Sequence, residues 1–491
     1  MSTLLFGVIP GPDIKSAENL LSKGRSHIDG IELRLDHFDK IDLEGLKGFL
    51  KGCGLPVMFT VRRNDQGGAF LGTEKERLEL LESLCALEPD YLDLEYDVPI
   101  DFRKKLFEAF PKVSFLSSYH DFTHTPADLE AILNKMKTPY AHIYKMAFTA
   151  KSSVDALRLL TFVLSHEKMI VVSMEEEGRA TRILAPVVGC VLTYATFVDG
   201  SSTAPGQISA RQLQEIYRFR KLNRQTEVYG VIGDPIYNSL GHLIHNAVFD
   251  DANKNAVYFR IRLKAEELSS FIPQILKLPF KGLSVTMPLK EAIMPFLGQT
   301  SIDTRVIGAS NSIQIKEGVV VGYNTDGIGA LNAIERRGLV YGRHLVFVGA
   351  GGAAKALIFE AARRGAYVTV INRTPDRAIE IANIVKGRGG GFDLFPEVCK
   401  QGYDIIINCT PVSDLVDEKW ILPEKIAMDI VYVPKNTPFL VKASQKKCRI
   451  VYGYEMFVAQ SLEQERIWFP EGIDFEKAYA IIEEKVISAL A

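Results

Sequence analysis

Lys145 lies in the apolar run AHIYKMAF, residues 141–148, which otherwise reads as a buried strand. An ammonium in such a run is costly unless it is paired or deprotonated. A free lysine titrates near pH ~10.4. Burial alone lowers that value and leaves a neutral amine able to attack a carbonyl. The preceding apolar run, VSFLSSYHDF, delivers His120 and Asp121 at its far end. Neighbouring strands carrying an amine and an imidazole point to Schiff-base chemistry with a histidine proton shuttle. The structural alternative is a lysine snorkelling from a strand edge.

A second set of residues lies downstream. In RHLVFVGAGGAAKALIFEAARRGAYVTVINRT a strand runs into Gly349, Gly351 and Gly352, a helix follows, and a second strand ends at Asn372 and Arg373. Such glycines let the backbone approach a pyrophosphate seated on the helix N-terminus. An NAD site places Asp or Glu about 20 residues on. This chain has Asn372, Arg373 and Thr374 instead, with Arg377 nearby. Guanidinium groups suit a 2′-phosphate, so NADP is the expected cofactor. Lys290, in VTMPLK, and Asp326, in GYNTDG, form a candidate acid–base pair. Ketone reduction leaves an alkoxide that needs a proton, and a lysine held by an aspartate supplies one. Thr286, Asn311 and Asn324 add hydroxyl and amide groups suited to a polyol. The plainer reading leaves Lys290 and Asp326 on the surface.

The elements that must position these groups follow from periodicity. Before about residue 222 the apolar runs LFGVI, GIELRL, VMFTV, YLDLEY, VSFLSS, HIYKM, MIVVSM and VLTYATF mostly alternate with helix-like segments such as TEKERLELLESLCALE. Eight such runs match a (β/α)8 TIM barrel, whose chemistry sits at the C-terminal strand ends. Glu32, Arg34, Arg62, His120, Lys145 and Arg182 fall there. Glu32 and Arg34 share one strand face while Ile31, Leu33 and Leu35 share the other. That pair suggests ligand contacts, with a structural ion pair as the alternative. The segment ARQLQEIYRFRKLNRQTEV reads as a basic helix and linker closing the barrel, before a new strand opens at VYGVIGDP.

A chain of 491 residues implies two to four domains, and 47% hydrophobic with 24% charged residues is a soluble globular composition. The formal net charge of −2 favours neither nucleic acid nor an anionic membrane as partner. No apolar stretch approaches the roughly 20 residues that span a bilayer, and MSTLLFGVIPGPD reads as a first strand rather than a signal peptide. Six scattered cysteines with no C-x-x-C pair argue against zinc and disulfides and for the cytoplasm. No metal is expected. His142, His166, His245, Trp420 and Trp468 read as packing or surface residues.

Residues 1 to about 222 resemble a type I 3-dehydroquinate dehydratase in IELRLD, FTVRRNDQGG, SYHDF, IYKMAF, GRATR and TAPGQ. Residues 226–491 resemble a shikimate dehydrogenase in GVIGDP, VTMPLK, GASNS, GYNTDG, GAGGAA, NRT, DIVYVP and GYEMFVAQ. The resemblance implies an α/β fold: a TIM barrel over 1–222, a substrate-binding lobe over 226–328 completed by 456–491, and a Rossmann NADP-binding lobe over 329–455. It implies that Lys145 forms an imine with 3-dehydroquinate while His120 moves the protons. Glu32, Arg34, Arg62, Arg182, Thr203 and Gln207 would bind the ring and its carboxylate. In the second half Ser239, Thr286, Asn311, Asp326, Tyr432 and Gln460 would hold 3-dehydroshikimate, with Lys290 and Asp326 assisting proton transfer. Gly349, Ala350, Gly351, Gly352, Ala353, Asn372, Arg373, Thr374, Arg377 and Gly453 would bind NADPH.

Three positions depart from the families. Gln66 stands where a glutamate usually bonds the histidine, which predicts a lower His120 pKa. Tyr194 replaces a common phenylalanine, a mild change. Gly241 replaces the second of two serines expected to hold the substrate carboxylate, and His242 or a water is expected to take over. Two alternatives stay open at this point. One is a Schiff-base aldolase joined to another NADP-linked polyol dehydrogenase, such as one preferring quinate. The other is a barrel reduced to a binding scaffold.

Overall fold

The computed structural model describes residues 2–197 and 206–490. All eight apolar runs before residue 222 become strands: β1 Leu4–Ile9, β2 Gly30–Arg34, β3 Val57–Thr60, β4 Tyr91–Glu95, β5 Ser114–Asp121, β6 Ile143–Thr149, β7 Met169–Met174 and β8 Leu192–Ala195. They pair in parallel in the order β7-β6-β5-β4-β3-β2-β1-β8. The β7–β8 seam is drawn together where Val191 N–H donates to Met169 O at 2.9 Å.

Period-two alternation divides these strands into two surfaces. Ile31, Leu33, Phe59, Leu92, Leu94, Met146 and Phe148 face outward into the layer shared with the helices. Phe6, Met58, Leu116, Ile143, Ile170 and Leu192 fill the lower interior. Two residues further along the same inward faces stand Thr60, Ser118 and Lys145. The interior thus turns from apolar to polar toward the C-terminal strand ends. Local capping fixes the helices between: in Glu74–Cys85, Thr73 Oγ1 accepts from Glu76 N–H at 3.3 Å, and Glu76 accepts from Thr73 N–H at 2.7 Å.

The linker is shorter than its composition predicts. A helix covers only Ala210–Glu215, followed by a single turn at Phe219–Lys221, because Arg218 takes a left-handed conformation at φ 53°. Arg220 then donates to Ser26 O and Ile28 O, both at 3.0 Å, on the barrel side. Arg218 donates to Ala256 O at 2.7 Å on the other side.

The second sheet orders β10 (Ala256–Arg262), β9 (Glu227–Gly233), β11 (Phe280–Val285), β13 (Ser312–Lys316), β14 (Val319–Tyr323) and β12 (Gln299–Thr300), with β13 antiparallel to both neighbours. The third is parallel throughout: β17 (Arg388–Gly390), β16 (Tyr367–Ile371), β15 (His344–Val348), β18 (Ile405–Asn408), β19 (Ile426–Asp429) and β20 (Arg449–Val451). Its central strands, β15, β18 and β19, are largely apolar runs because both faces are covered. On β15, Leu345 and Phe347 enter one core while Val346 and Val348 enter another. The last helices, Gly453–Trp468 and Phe475–Leu490, return to the second sheet's helix Gly241–Asp251. There Ile244, Val248, Val458, Leu462, Ile482 and Val486 share one apolar cluster.

Candidate active sites

At the barrel mouth Lys145 is buried and its Nζ donates to Asp93 at 3.0 Å and to Glu32 at 3.2 Å. The ammonium also lies 4.5 Å from the centre of the Tyr194 ring. Thr60 donates to Glu32 at 2.8 Å. Arg62 donates to Asp93 and, at 2.7 Å, to Ser118 Oγ, with Glu95 3.6 Å away. Glu32 therefore pairs with Lys145 and not with Arg34, which instead grips Asp36 through bonds of 2.9 and 2.7 Å.

This pairing corrects one expectation. Burial opposes the Lys145 charge, but Asp93 and Glu32 outweigh it, so the pKa lies above the ordinary lysine value and the resting group is an ammonium. Asp93 is the missed residue of this site. Burial works against its charge, yet Arg62 and Lys145 hold its pKa well below the usual carboxylate range. In the sequence, YLDLEY gives both Asp93 and Glu95 the inward parity of a barrel strand, which was the available signal.

His120 follows at the end of β5, partly exposed, with its ring stacked on Phe122 at 6.2 Å. Burial of the ring nitrogens, and then the Arg62 and Lys145 charges, hold its pKa well below the ordinary value. The imidazole is neutral. Its Nδ1 is buried and has no hydrogen-bond partner among the described residues. Gln66 does not act as expected: its Oε1 accepts from the His120 backbone N–H at 3.2 Å rather than from the ring. The depressed pKa comes from burial and neighbouring cations, not from the amide.

Arg182 is buried after β7, where its Nη1 donates to Ser173 O at 2.9 Å. Its Nε has no partner, and it forms no ion pair among the described residues. Burial and the charge of Arg179 bring its pKa down to about 10. Gln207 is half-buried just before the bridge between Thr196 and Ser209 that extends past β8. Thr203 lies outside the described residues.

The second site gathers at the C-terminal ends of β9 and β11. Lys290 Nζ donates to Asp326 Oδ2. Asn311 Nδ2 lies 2.8 Å from Asp326 Oδ1 and 3.1 Å from Gln460 Oε1. Asn311 Oδ1 accepts from Thr325 N–H at 2.8 Å. These bonds join β13, the helix Asp326–Glu335 and the helix Gly453–Trp468. Thr286 and Ser239 are half-buried, and Ser239 Oγ accepts from Gly241 N–H at 3.3 Å. Tyr432 stacks on Phe457 at 5.1 Å and donates to Asn238 O at 3.4 Å, linking the third sheet to the Ser239 loop.

The expected cofactor site is the β15–β18 crevice, where strand order reverses. Gly349 leaves β15 at φ 116°, a conformation only glycine takes readily. Ala350 is buried behind the turn, and an added Cβ at Gly351 would meet nothing within 4 Å. Gly352 and Ala353 open the helix Gly352–Arg363. Asn372, at the end of β16, donates to Thr374 O at 3.0 Å. Arg373, Thr374 and Arg377 are exposed, and neither arginine forms an ion pair among the described residues. Two uncommitted guanidiniums beside a glycine turn and a helix N-terminus fit a phosphorylated dinucleotide. Gly453 opens the helix Gly453–Trp468, where an added Cβ would come 2.5 Å from Val431 O.

Gly241 has a neighbour that accounts for its size: an added Cβ would lie 2.9 Å from the Tyr258 hydroxyl, itself donating to Ser284 Oγ at 2.7 Å. His242 is buried, with its ring facing Tyr217 of the linker at 6.4 Å. Burial, together with Arg260 and Arg179, brings its pKa down to about 3, so it is a neutral group at the seam between the halves.

Fold and geometry together define a chain with two reaction centres, an amine-bearing α/β barrel and a two-lobed dinucleotide-type reductase. The family model for type I 3-dehydroquinase matches residues 5–224, and that for the shikimate dehydrogenase substrate binding domain matches residues 231–313. The shikimate biosynthesis protein AroDE of Chlamydia pneumoniae is 33% identical over 95% of this chain and 96% of its own length. The chloroplastic bifunctional 3-dehydroquinate dehydratase/shikimate dehydrogenase of Arabidopsis thaliana is 33% identical over 90% of this chain and 77% of its own. A solved shikimate dehydrogenase in complex with NADP+ matches with a TM-score of 0.51 and 31% identity, over 55% of this chain and 98% of that one. The chain belongs to the bifunctional 3-dehydroquinate dehydratase/shikimate dehydrogenase family.

Proposed function

We propose that the chain converts 3-dehydroquinate to 3-dehydroshikimate in its barrel and reduces that product to shikimate with NADPH in its second half. The observation that carries the first assignment is the buried Lys145, flanked by two carboxylates and accompanied by a neutral imidazole. Lys145 first gives up a proton; Glu32, 3.2 Å away, is the nearby acceptor not also gripped by Arg62. The amine then condenses with the ring ketone and releases water. The imine draws electrons from the neighbouring carbon, so neutral His120 removes a proton there and returns it to the departing hydroxyl. Hydrolysis frees Lys145. Arg182, having no acidic partner among the described residues, takes the substrate carboxylate, whereas Arg34 and Arg62 are tied to Asp36 and Asp93. Glu32, Gln207 and Thr203 complete the ring contacts.

In the second half the cofactor supplies a hydride to the ring ketone. Lys290 delivers the proton to the resulting alkoxide and is held for it by Asp326, which Asn311 anchors in turn. Ser239, Thr286, Asn311 and Gln460 hold the ring, and Tyr432 closes over it. Gly349–Gly352 with Ala353 and Gly453 cradle the dinucleotide, and Asn372, Arg373, Thr374 and Arg377 select its 2′-phosphate. The division of labour runs 1–222, 226–328 with 456–491, and 329–455. No helix among the described residues is long and apolar enough to cross a membrane, and we place the enzyme in the cytoplasm with small cyclic acids as its substrates. Purified protein given 3-dehydroquinate and NADPH should lose reduced-cofactor absorbance. Loss with 3-dehydroshikimate but not with 3-dehydroquinate would refute the barrel assignment alone; loss with neither would refute the dehydrogenase assignment, and the barrel is then tested by the ultraviolet absorbance of the conjugated enone it forms from 3-dehydroquinate.

A further inference from the structure

Arg262, the last residue of β10, reaches across the seam between the halves. Its Nη1 donates to Glu177 of the barrel at 3.1 Å, and its Nε donates to Asp234 of the second half at 2.9 Å. Its backbone carbonyl accepts from Ser153 Oγ, at the start of a barrel helix, at 2.7 Å. One residue therefore ties three points together.

Each acid it holds sits in a turn next to a proposed substrate residue. Glu177 belongs to the turn Glu176–Gly178, which leaves β7 just ahead of Arg182. That turn is packed onto the strand: an added Cβ at Gly178 would lie 2.2 Å from Ser173 O, and Thr181 Oγ1 both donates to Gly178 O at 2.8 Å and accepts from Ser173 N–H at 3.0 Å. Ser173 O is also the group that Arg182 Nη1 grips among the described residues. A shift of Glu177 thus reaches the Arg182 guanidinium through one short, stiff loop. On the other side Asp234 follows β9, and its N–H donates to Met287 O at 3.2 Å. Gly233 packs so closely on Thr286 that an added Cβ would lie 2.4 Å from Thr286 Cγ2.

We infer that Arg262 is a positioning residue for both reactions: a single guanidinium fixes the Arg182 loop of the first site and the Thr286 turn of the second. This rests on the reading of Arg182 and Thr286 as substrate-contacting residues. The fusion of the two halves then has a role in each reaction's substrate affinity, beyond placing the enzymes on one chain. Arg262 and its acids are partly exposed, at 35% for Arg262 and about 20% for each acid. The effect is accordingly modest.

The test uses the full chain and measures both activities in each variant. Glu177→Gln should raise the KM for 3-dehydroquinate about three- to tenfold with kcat little changed, because Arg182 binds substrate and transition state alike. It should leave the dehydrogenase untouched. Asp234→Asn should do the converse. Arg262→Met should raise both KM values, and adding Glu177→Gln to it should raise the dehydratase KM no further, since the pair is already broken. Effects that add fully in the double variant, or single acid variants that move neither KM, overturn the inference. If Arg262→Met fails to fold, the two acid variants decide alone. Arg182→Ala, run beside them, separates the failures: no change in dehydratase KM there sinks the site reading itself, whereas a large change with a silent Glu177→Gln sinks only the positioning role.

Discussion

Replacing Asp93 with asparagine tests how the barrel sets the charge of its reactive amine. Asp93 Oδ2 lies 3.0 Å from Lys145 Nζ. Two unit charges at that separation interact by ~5 kcal/mol at an effective dielectric constant of about 20. If about half of that survives local rearrangement, the neutral-amine fraction at pH 7 rises on the order of a hundredfold in Asp93→Asn. Arg62, released from the same carboxylate, repels the ammonium and pushes in the same direction. Because the wild-type pKa is raised, initial trapping of the 3-dehydroquinate imine by borohydride should climb by about tenfold per pH unit from pH ~6 to ~9. The variant should reach its plateau at least about one pH unit earlier. Peptide mass analysis of Lys145 gives the trapped fraction, and unchanged reduction of 3-dehydroshikimate certifies that the variant is folded. Superimposable pH profiles would refute the claim that Asp93 holds the proton on Lys145.

Three further outcomes follow from the same geometry. Lys290→Met should lower kcat for 3-dehydroshikimate reduction by about 10²–10⁴ while leaving cofactor affinity alone; a loss below about threefold would remove Lys290 as proton donor. Replacing Arg373 and Arg377 together by glutamine should raise the KM for NADPH by about 10–100-fold without moving that for NADH; equal effects on both cofactors would deny a 2′-phosphate contact. His242 has a folded pKa of about 3 against an unfolded value near ~6.5, so the unfolded chain takes up the proton first as the pH falls. Its neutral burial is harmless above pH ~6.5 and destabilises progressively below it, by up to ~1.4 kcal/mol per pH unit. His242→Phe should flatten the acid-side fall in melting temperature, and an unchanged slope would show the ring is accessible to protons when folded.

Eight strands were legible because each is a short apolar run and helix-like segments separate most of them; barrel closure then turns one parity of each strand inward. The glycine spacing likewise marked the strand–turn–helix of β15, Gly349–Gly351 and Gly352–Arg363, with Asn372–Thr374 following β16. His142 and His245 behave as packing residues: one stacks on Phe107 at 4.9 Å, the other bonds Glu465 at 2.7 Å. The protonation of Lys145 was not legible, since its carboxylates come from 113 and 52 residues away and only closure of the barrel brings them to the amine. Asp93 was overlooked for a related reason. An acid in an alternating strand looks solvent-facing until the sheet closes on itself. Gln66 contacts the His120 backbone because of the loop path after β3, and the Glu177–Arg262 bond depends on how the two halves meet. Neither has a local signature.

Reduction of a mixture of protein and 3-dehydroquinate with borohydride, followed by peptide mass spectrometry, addresses the barrel chemistry most directly. A stable substrate adduct should appear on Lys145, vanish in Lys145→Ala, and accumulate further in a His120→Ala variant able to form the imine but not to move its proton. An adduct on another lysine, or full dehydratase turnover by Lys145→Ala, would contradict the assignment.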